Sequence, residues 1–270
     1  MGTGCFETAL GGCLARAGAA CILAPVLACF SNMVTSNPLL KREESFASTG
    51  EGAMTLNGTV NKTGILLLIC VVAAWYGWMT PEMRGGWLFV AFIAAFIFSL
   101  IGMFKPATSP VVAPAYAACE GLALGAISQV ISMHYPGIAA MAVLATFSVL
   151  GMFLFLYVTR IVRVTKGMVI AVIAATAGIF IVYAISAVMG MFGHPLGLVN
   201  GNGAVGIGFS VLVCAIAAFN FFLDFYAIEG FIQSGAPKYM EWYSGMALLI
   251  TIVWLYLEIL RLLSKLQSRR

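Results

Sequence analysis

Charge is what this sequence has least of: only 24 of its 270 residues are Asp, Glu, Lys or Arg, while 62% are apolar. A soluble domain carries roughly 25% charged residues. So few charges cannot cover a water-facing surface of this size, and most of the outside must face hydrocarbon. Histidine is limited to two residues and Asp to one, Asp224. An intramembrane aspartyl protease needs two Asp, and a Ser nucleophile needs a His within reach. His134 and His194 both sit beside Pro in expected loops and are too few for a His/Cys metal centre. The chain is therefore expected to be neither an enzyme nor the holder of a cofactor, with no certain metal site. CxxC pairs are also missing: Cys5, Cys13, Cys21 and Cys29 recur every eight residues, and Cys70, Cys119 and Cys214 lie in apolar runs. They read as small apolar fillers. The net charge of +4 sits in short runs between apolar segments, a topology signal and not a nucleic-acid footprint.

What is present is a series of charge-free intervals, each to be compared with the about 20 residues that a helix needs to cross the bilayer. Lys62 and Glu82 enclose 19 uncharged residues, Arg84 and Lys105 enclose 20, and Glu120 and Arg160 enclose 39. The first two intervals predict one helix each. Pro110 to Met133 and the run ending at Val158 predict helices three and four, separated by the turn His134-Tyr135-Pro136-Gly137. The 57 uncharged residues between Lys166 and Asp224 hold helices five and six, parted by the Gly- and Pro-containing stretch Gly190 to Gly203. A seventh lies between Met240 and Leu266. The expected fold is an all-α integral membrane bundle of seven transmembrane helices, bathed in lipid. Lys105, Arg160, Arg163, Lys166 and Lys238 then share one side with Lys41, Arg42 and Lys62, which predicts a cytoplasmic N-terminal side. Trp75, Trp78 and Trp87 read as interfacial anchors. Gly201-Asn202-Gly203-Ala204-Val205-Gly206 fits a dinucleotide fingerprint, but no strand precedes it, so it reads as a turn opening helix six.

Three regions follow. Residues 1–32 form an extension with no place in the helix plan, explained by a signal-like segment or, preferably, by a start assigned ahead of Met33. Residues 33–62, with Pro38 and several Ser, Thr and Gly, read as a flexible cytoplasmic arm. Residues 63–270 form the membrane domain.

Four acids within or beside apolar helices remain unexplained by topology: Glu120, Asp224, Glu229 and Glu258. Each costs about 2.5–3.5 kcal/mol at a helix centre, so each needs a partner, a proton or water. Glu258 has Arg261 three residues on, a local ion pair. Glu229 has the look of an interfacial group. Glu120 lies beside Gly121 and Gly125, whose i, i+4 spacing permits close helix packing. Asp224 has no base within a turn. Were helix six to begin at Ala204 and helix seven at Glu241, Asp224 and Glu258 would lie ~25 Å apart along the bundle. Pairing them requires later helices, roughly Ile207 to Phe231 and Gly245 to Leu266.

The stretch Phe219-Asn220-Phe221-Phe222-Leu223-Asp224-Phe225-Tyr226-Ala227-Ile228-Glu229, with Gly235-Ala236-Pro237-Lys238-Tyr239-Met240-Glu241-Trp242-Tyr243 and Leu255-Tyr256-Leu257-Glu258-Ile259-Leu260-Arg261, resembles the Bax inhibitor-1/YccA family. Ala118-Cys119-Glu120-Gly121 resembles its Glu-Gly motif, and Ser36-Asn37-Pro38-Leu39-Leu40 resembles the N-terminal motif of a longer bacterial branch. The resemblance implies a bundle whose last helix is central, and a pH-sensitive calcium leak gated by two acids sharing a proton. It places those acids, and any calcium they meet, at Asp224 and Glu258, with Glu120 as a further pore-side acid and Arg261 and Glu229 as charge partners. This sequence departs from the family pattern in having Glu at the helix-seven position and a longer link between the acids. The resemblance also implies a bacterial inner membrane, with calcium or other cations as permeating ions. Its alternative role is restraint of a membrane-bound protease or a stress or cell-death response.

Overall fold

The computed structural model describes residues 52–80, 86–162, 164–192, 197–201 and 203–269. Residues 1–32, most of the expected arm (33–51), and Glu82, Arg84, Arg163 and His194 lie outside these. Among the described residues seven long helices follow one another: α1 Leu56–Met79, α2 Gly86–Phe104, α3 Ser109–His134, α4 Ile138–Val158, α5 Lys166–Met191, α6 Ala204–Gln233 and α7 Met240–Gln267. A 3-10 turn, Pro106–Thr108, precedes α3, and a four-residue helical turn, Gly197–Asn200, precedes α6. Six of the seven are long and apolar enough to cross a membrane, and α2 is a shorter apolar helix with its apolar stretch at Val90–Phe104. The chain is an all-helical, multi-pass membrane protein.

The last helix is central. α7 packs against α1, α3, α4 and α6, and it buries Leu249, Ile252, Val253, Leu255 and Leu260 along one length. α5, by contrast, touches the bundle through a narrow stripe, Val172, Ile179 and Ser186, spaced seven apart, a period that keeps one edge of a helix on its neighbour. The rest of α5 presents Phe180, Ile185 and Val188 outward, as a lipid-facing surface does.

Two boundaries differ from those that charge counting predicts. α1 starts at Leu56, ahead of Lys62, because Thr55 caps it by accepting from the Gly58 N–H at 3.0 Å, and Lys62 finds a partner in Glu241, 3.8 Å away. Of the arm expected over 33–62, residues 56–62 form the first turns of α1. Ala53 bridges antiparallel to Pro237, the Met54 N–H donates to the Ala236 carbonyl at 2.7 Å, and Met54 is buried. Likewise α6 runs to Gln233, straight past Asp224 and Glu229, since a carboxylate that faces the bundle does not end a helix. Gly235, at φ +67°, then reverses the chain into α7.

Between α1 and α3 the backbones nearly touch. A Cβ on Gly121 would lie 2.3 Å from the Cys70 carbonyl oxygen, one on Gly125 2.0 Å from that of Ala74, and one on Gly77 2.5 Å from that of Leu122. The small-residue spacing read in the sequence is a helix seam, with α1 as its partner. Trp75 and Trp87 are exposed near the ends of α1 and α2, as interfacial anchors should be. Gly203 caps α6, so the apparent dinucleotide fingerprint opens that helix and belongs to no strand–turn–helix unit.

Candidate functional site

Five acids stand in or against the bundle, and the structure gives each a different setting. Asp224 projects from α6, nine residues before its end, toward α7, where the Thr251 hydroxyl is within hydrogen-bonding reach. Its Oδ2 is buried and has no hydrogen-bond partner. A buried polar atom without a partner is uncommon in a folded protein and marks either strain or function.

Glu258, on the far half of α7, is almost fully buried and has its hydrogen bonds made. The Tyr183 hydroxyl of α5 donates to Oε2 at 2.8 Å, and the Arg261 guanidinium donates to both oxygens, at 3.1 and 3.3 Å. Arg261 also stacks over the Tyr183 ring, 4.9 Å from its centroid. The local ion pair expected from the i, i+3 spacing is therefore present, with a tyrosine added that the spacing could not show.

The shared-proton pair, however, is not formed. On α7, Thr251 beside Asp224 and Glu258 are seven residues apart, about 10 Å along the axis. On α6, Cys214, which senses the Glu258 charge, is ten residues from Asp224, about 15 Å. Helix α6 begins at Ala204 and α7 at Met240, the early-starting arrangement in which the two acids do not meet. Their separation is smaller than the ~25 Å of the sequence estimate, because α6 continues nine residues past Asp224 and so holds that residue deeper in the bundle. Among the described residues no three Asp, Glu, His or Cys side chains gather.

Glu120 is buried in the α1–α3 seam beside Cys70 and Tyr116, with no hydrogen bond or ion pair among the described residues. Glu229 lies four residues before the end of α6, with its side chain 41% exposed. The Tyr157 hydroxyl donates to its Oε2, and Arg160 approaches its Oε1 at 3.5 Å.

Two buried charges escaped the sequence reading. Glu241, at the start of α7, accepts from the Thr55 N–H at 3.1 Å and from the Thr55 hydroxyl at 3.0 Å. Lys62 closes the cluster, its Nζ lying 5.3 Å above the Trp242 ring. With Thr55 and Glu241 186 positions apart, no local pattern could announce the contact. Truncating a buried, charge-accepting carboxylate costs about 1.5–3 kcal/mol. Glu241→Ala should therefore lower the melting midpoint by several degrees and open residues 53–58 to protease. Unchanged cleavage there would mean that the bridge to Pro237 alone pins the segment. Lys265, the second, donates to the Gly206 carbonyl at 3.1 Å and to the Ser210 hydroxyl at 2.8 Å, tying the end of α7 to the start of α6. A signal did exist for it: Glu258, Arg261 and Lys265 follow i, i+3, i+7, which puts them on one face of the central helix.

The family model described as Bax inhibitor 1 like matches residues 37–268, and the chain belongs to that family. No curated protein and no solved structure matches it.

Proposed function

We propose that this member of the Bax inhibitor 1 like family is a passive cation leak, carrying calcium and regulated by protons, with Asp224 as the group that reads the proton. The observation behind this is the Asp224 Oδ2, a carboxylate oxygen inside a membrane-spanning helix with no partner of its own. When ionised, it offers a hard oxygen to a hard cation, and when protonated, it offers no charge to draw one in. Flux therefore rises with pH. Glu258, already satisfied by Tyr183 and Arg261, acts as a fixed counter-charge, and Glu120 is a second bare carboxylate along the bundle. The chain works as a passage, without catalysis. It sits in a bacterial plasma membrane with the start of α1 on the cytoplasmic side, because Lys105, Arg160, Lys166 and Lys238 all lie on connections at that end.

The test is calcium entry into liposomes that hold the purified full chain, followed across a pH series. The wild type should pass more calcium as pH rises. Asp224→Asn should lose that dependence, and Glu258→Gln should keep it. Flux that ignores pH in the wild type, or a pH response intact in Asp224→Asn, would end the proposal.

A further inference from the structure

Along the outside of the bundle α1 and α4 stand side by side with little direct packing on one another, and the gap between them is floored by α6 and α7. At the end where α1 begins, the gap opens into a cavity of about 1150 Å³, lined by apolar side chains such as Leu67, Leu154 and Leu248. Leu67 and Ile252 also line a second cavity of about 380 Å³ toward the far end, so the two form one groove. The first reaches from Leu56 to Leu67 on α1, about 17 Å of helix, close to the ~15 Å half-thickness of a hydrocarbon core. It matches the depth of the acyl region of a single leaflet.

The polar groups of this cavity gather at its interfacial mouth. Arg160 and Glu229 face each other there, with side chains 80% and 41% exposed. Tyr157 occupies the Glu229 Oε2, while the Oε1 is held only by the long 3.5 Å contact to Arg160. The guanidinium keeps most of its five donors free. The mouth therefore shows one cation and one partly open carboxylate oxygen, side by side, above an apolar slot.

We propose that this groove is a binding site for a single aminophospholipid of the phosphatidylethanolamine type, independent of whether the bundle passes calcium. Its phosphate accepts from Arg160, its primary ammonium donates to the Glu229 Oε1, and its acyl chains fill the slot between α1 and α4. Of phosphatidylethanolamine, phosphatidylcholine and phosphatidylglycerol, only the first matches the charge pair. Phosphatidylcholine has a cation without N–H donors, and phosphatidylglycerol has no cation at all.

The experiment is native mass spectrometry of the full chain, taken from vesicles of equal parts phosphatidylethanolamine, phosphatidylcholine and phosphatidylglycerol. One phosphatidylethanolamine should stay with each chain, enriched about tenfold over the other two, as one charge-assisted hydrogen bond supplies. Glu229→Gln should remove the preference over phosphatidylcholine. Gly64→Phe provides an independent arm. Gly64 lines the cavity and a Cβ there meets nothing within 4 Å, so the ring can enter the slot without disturbing the mouth. It should abolish retention of all three lipids while leaving the melting midpoint unchanged. Equal retention of the three lipids by the wild type, an undiminished preference in Glu229→Gln, or full retention in Gly64→Phe would each overturn the proposal.

Discussion

Gly125→Leu should leave almost no folded protein in the membrane. The Cβ it adds falls 2.0 Å from the Ala74 carbonyl oxygen, with the Ala74 carbonyl carbon 2.8 Å away. The obstacle is helix backbone, which cannot swing aside as a long side chain does. Overpacking a core ordinarily costs about 1–3 kcal/mol when neighbours can adjust. Here α1 and α3 must separate along their whole seam, because Gly121 meets the α1 backbone from the same face of α3 and Gly77 meets the α3 backbone from α1. The seam also carries Glu120, and one turn beyond Gly125 the Ser128 hydroxyl bonds the Tyr256 hydroxyl of α7 at 2.7 Å. Opening it therefore takes the central helix off two of its neighbours, a loss of at least ~5 kcal/mol, comparable with the whole stability of many domains. Gly151→Leu on α4, where a Cβ meets nothing within 4 Å, is the matched control. Size-exclusion of detergent extracts should give a monodisperse peak for Gly151→Leu and none for Gly125→Leu. A well-behaved Gly125→Leu peak with a wild-type melting midpoint would show that the close approach is not required.

That seam was legible because small residues at i, i+4 have one main use in a bilayer. The helix count was legible for a similar reason, since backbone in hydrocarbon must bond to itself over about 20 residues. Helix ends were less so. Charge-free counting assumes that a charge closes a helix, and it fails where a charge has a partner, as Lys62 has in Glu241, or where a carboxyl is buried inside the bundle, as Asp224 is within α6. The same reason explains which parts of the site stayed hidden. Glu258 with Arg261 is a contact within one turn and could be read directly, whereas the Tyr183 bond to Glu258, the Thr55 bonds to Glu241 and the Lys265 bond to Ser210 join positions 55 to 186 residues apart. The proposed partnership of Asp224 with Glu258 depended on axial register. Periodicity along a single helix contains no information about how far its neighbour has slid. That register is fixed here by the length of α6 and by the sharp turn at Gly235.

Arg261→Leu should be the most destabilising single change at the acidic cluster. It leaves Glu258, about 2% exposed, with Tyr183 as its remaining donor. Leaving one member of a buried ion pair uncompensated costs about 3–5 kcal/mol. The lower figure applies, since Tyr183 still bonds the carboxylate and the Arg261 side chain is itself 42% exposed. Removing the charge as well as its partner should restore what was lost, so the double variant Arg261→Leu with Glu258→Gln should melt close to the wild type. Asp224→Asn combined with Arg261→Leu should give no such rescue, because about 10 Å of helix and the Tyr183 bond separate the two carboxylates. Thermal unfolding of the three single and two double variants beside the wild type, in one detergent, forms a double-mutant cycle for each pair. If Asp224→Asn rescued Arg261→Leu as well as Glu258→Gln does, the two acids would act as one titrating unit in spite of their separation. A rescue confined to Glu258→Gln leaves Asp224 as an independent carboxylate, one that α6 holds against Thr251 with an oxygen uncommitted to any structural bond.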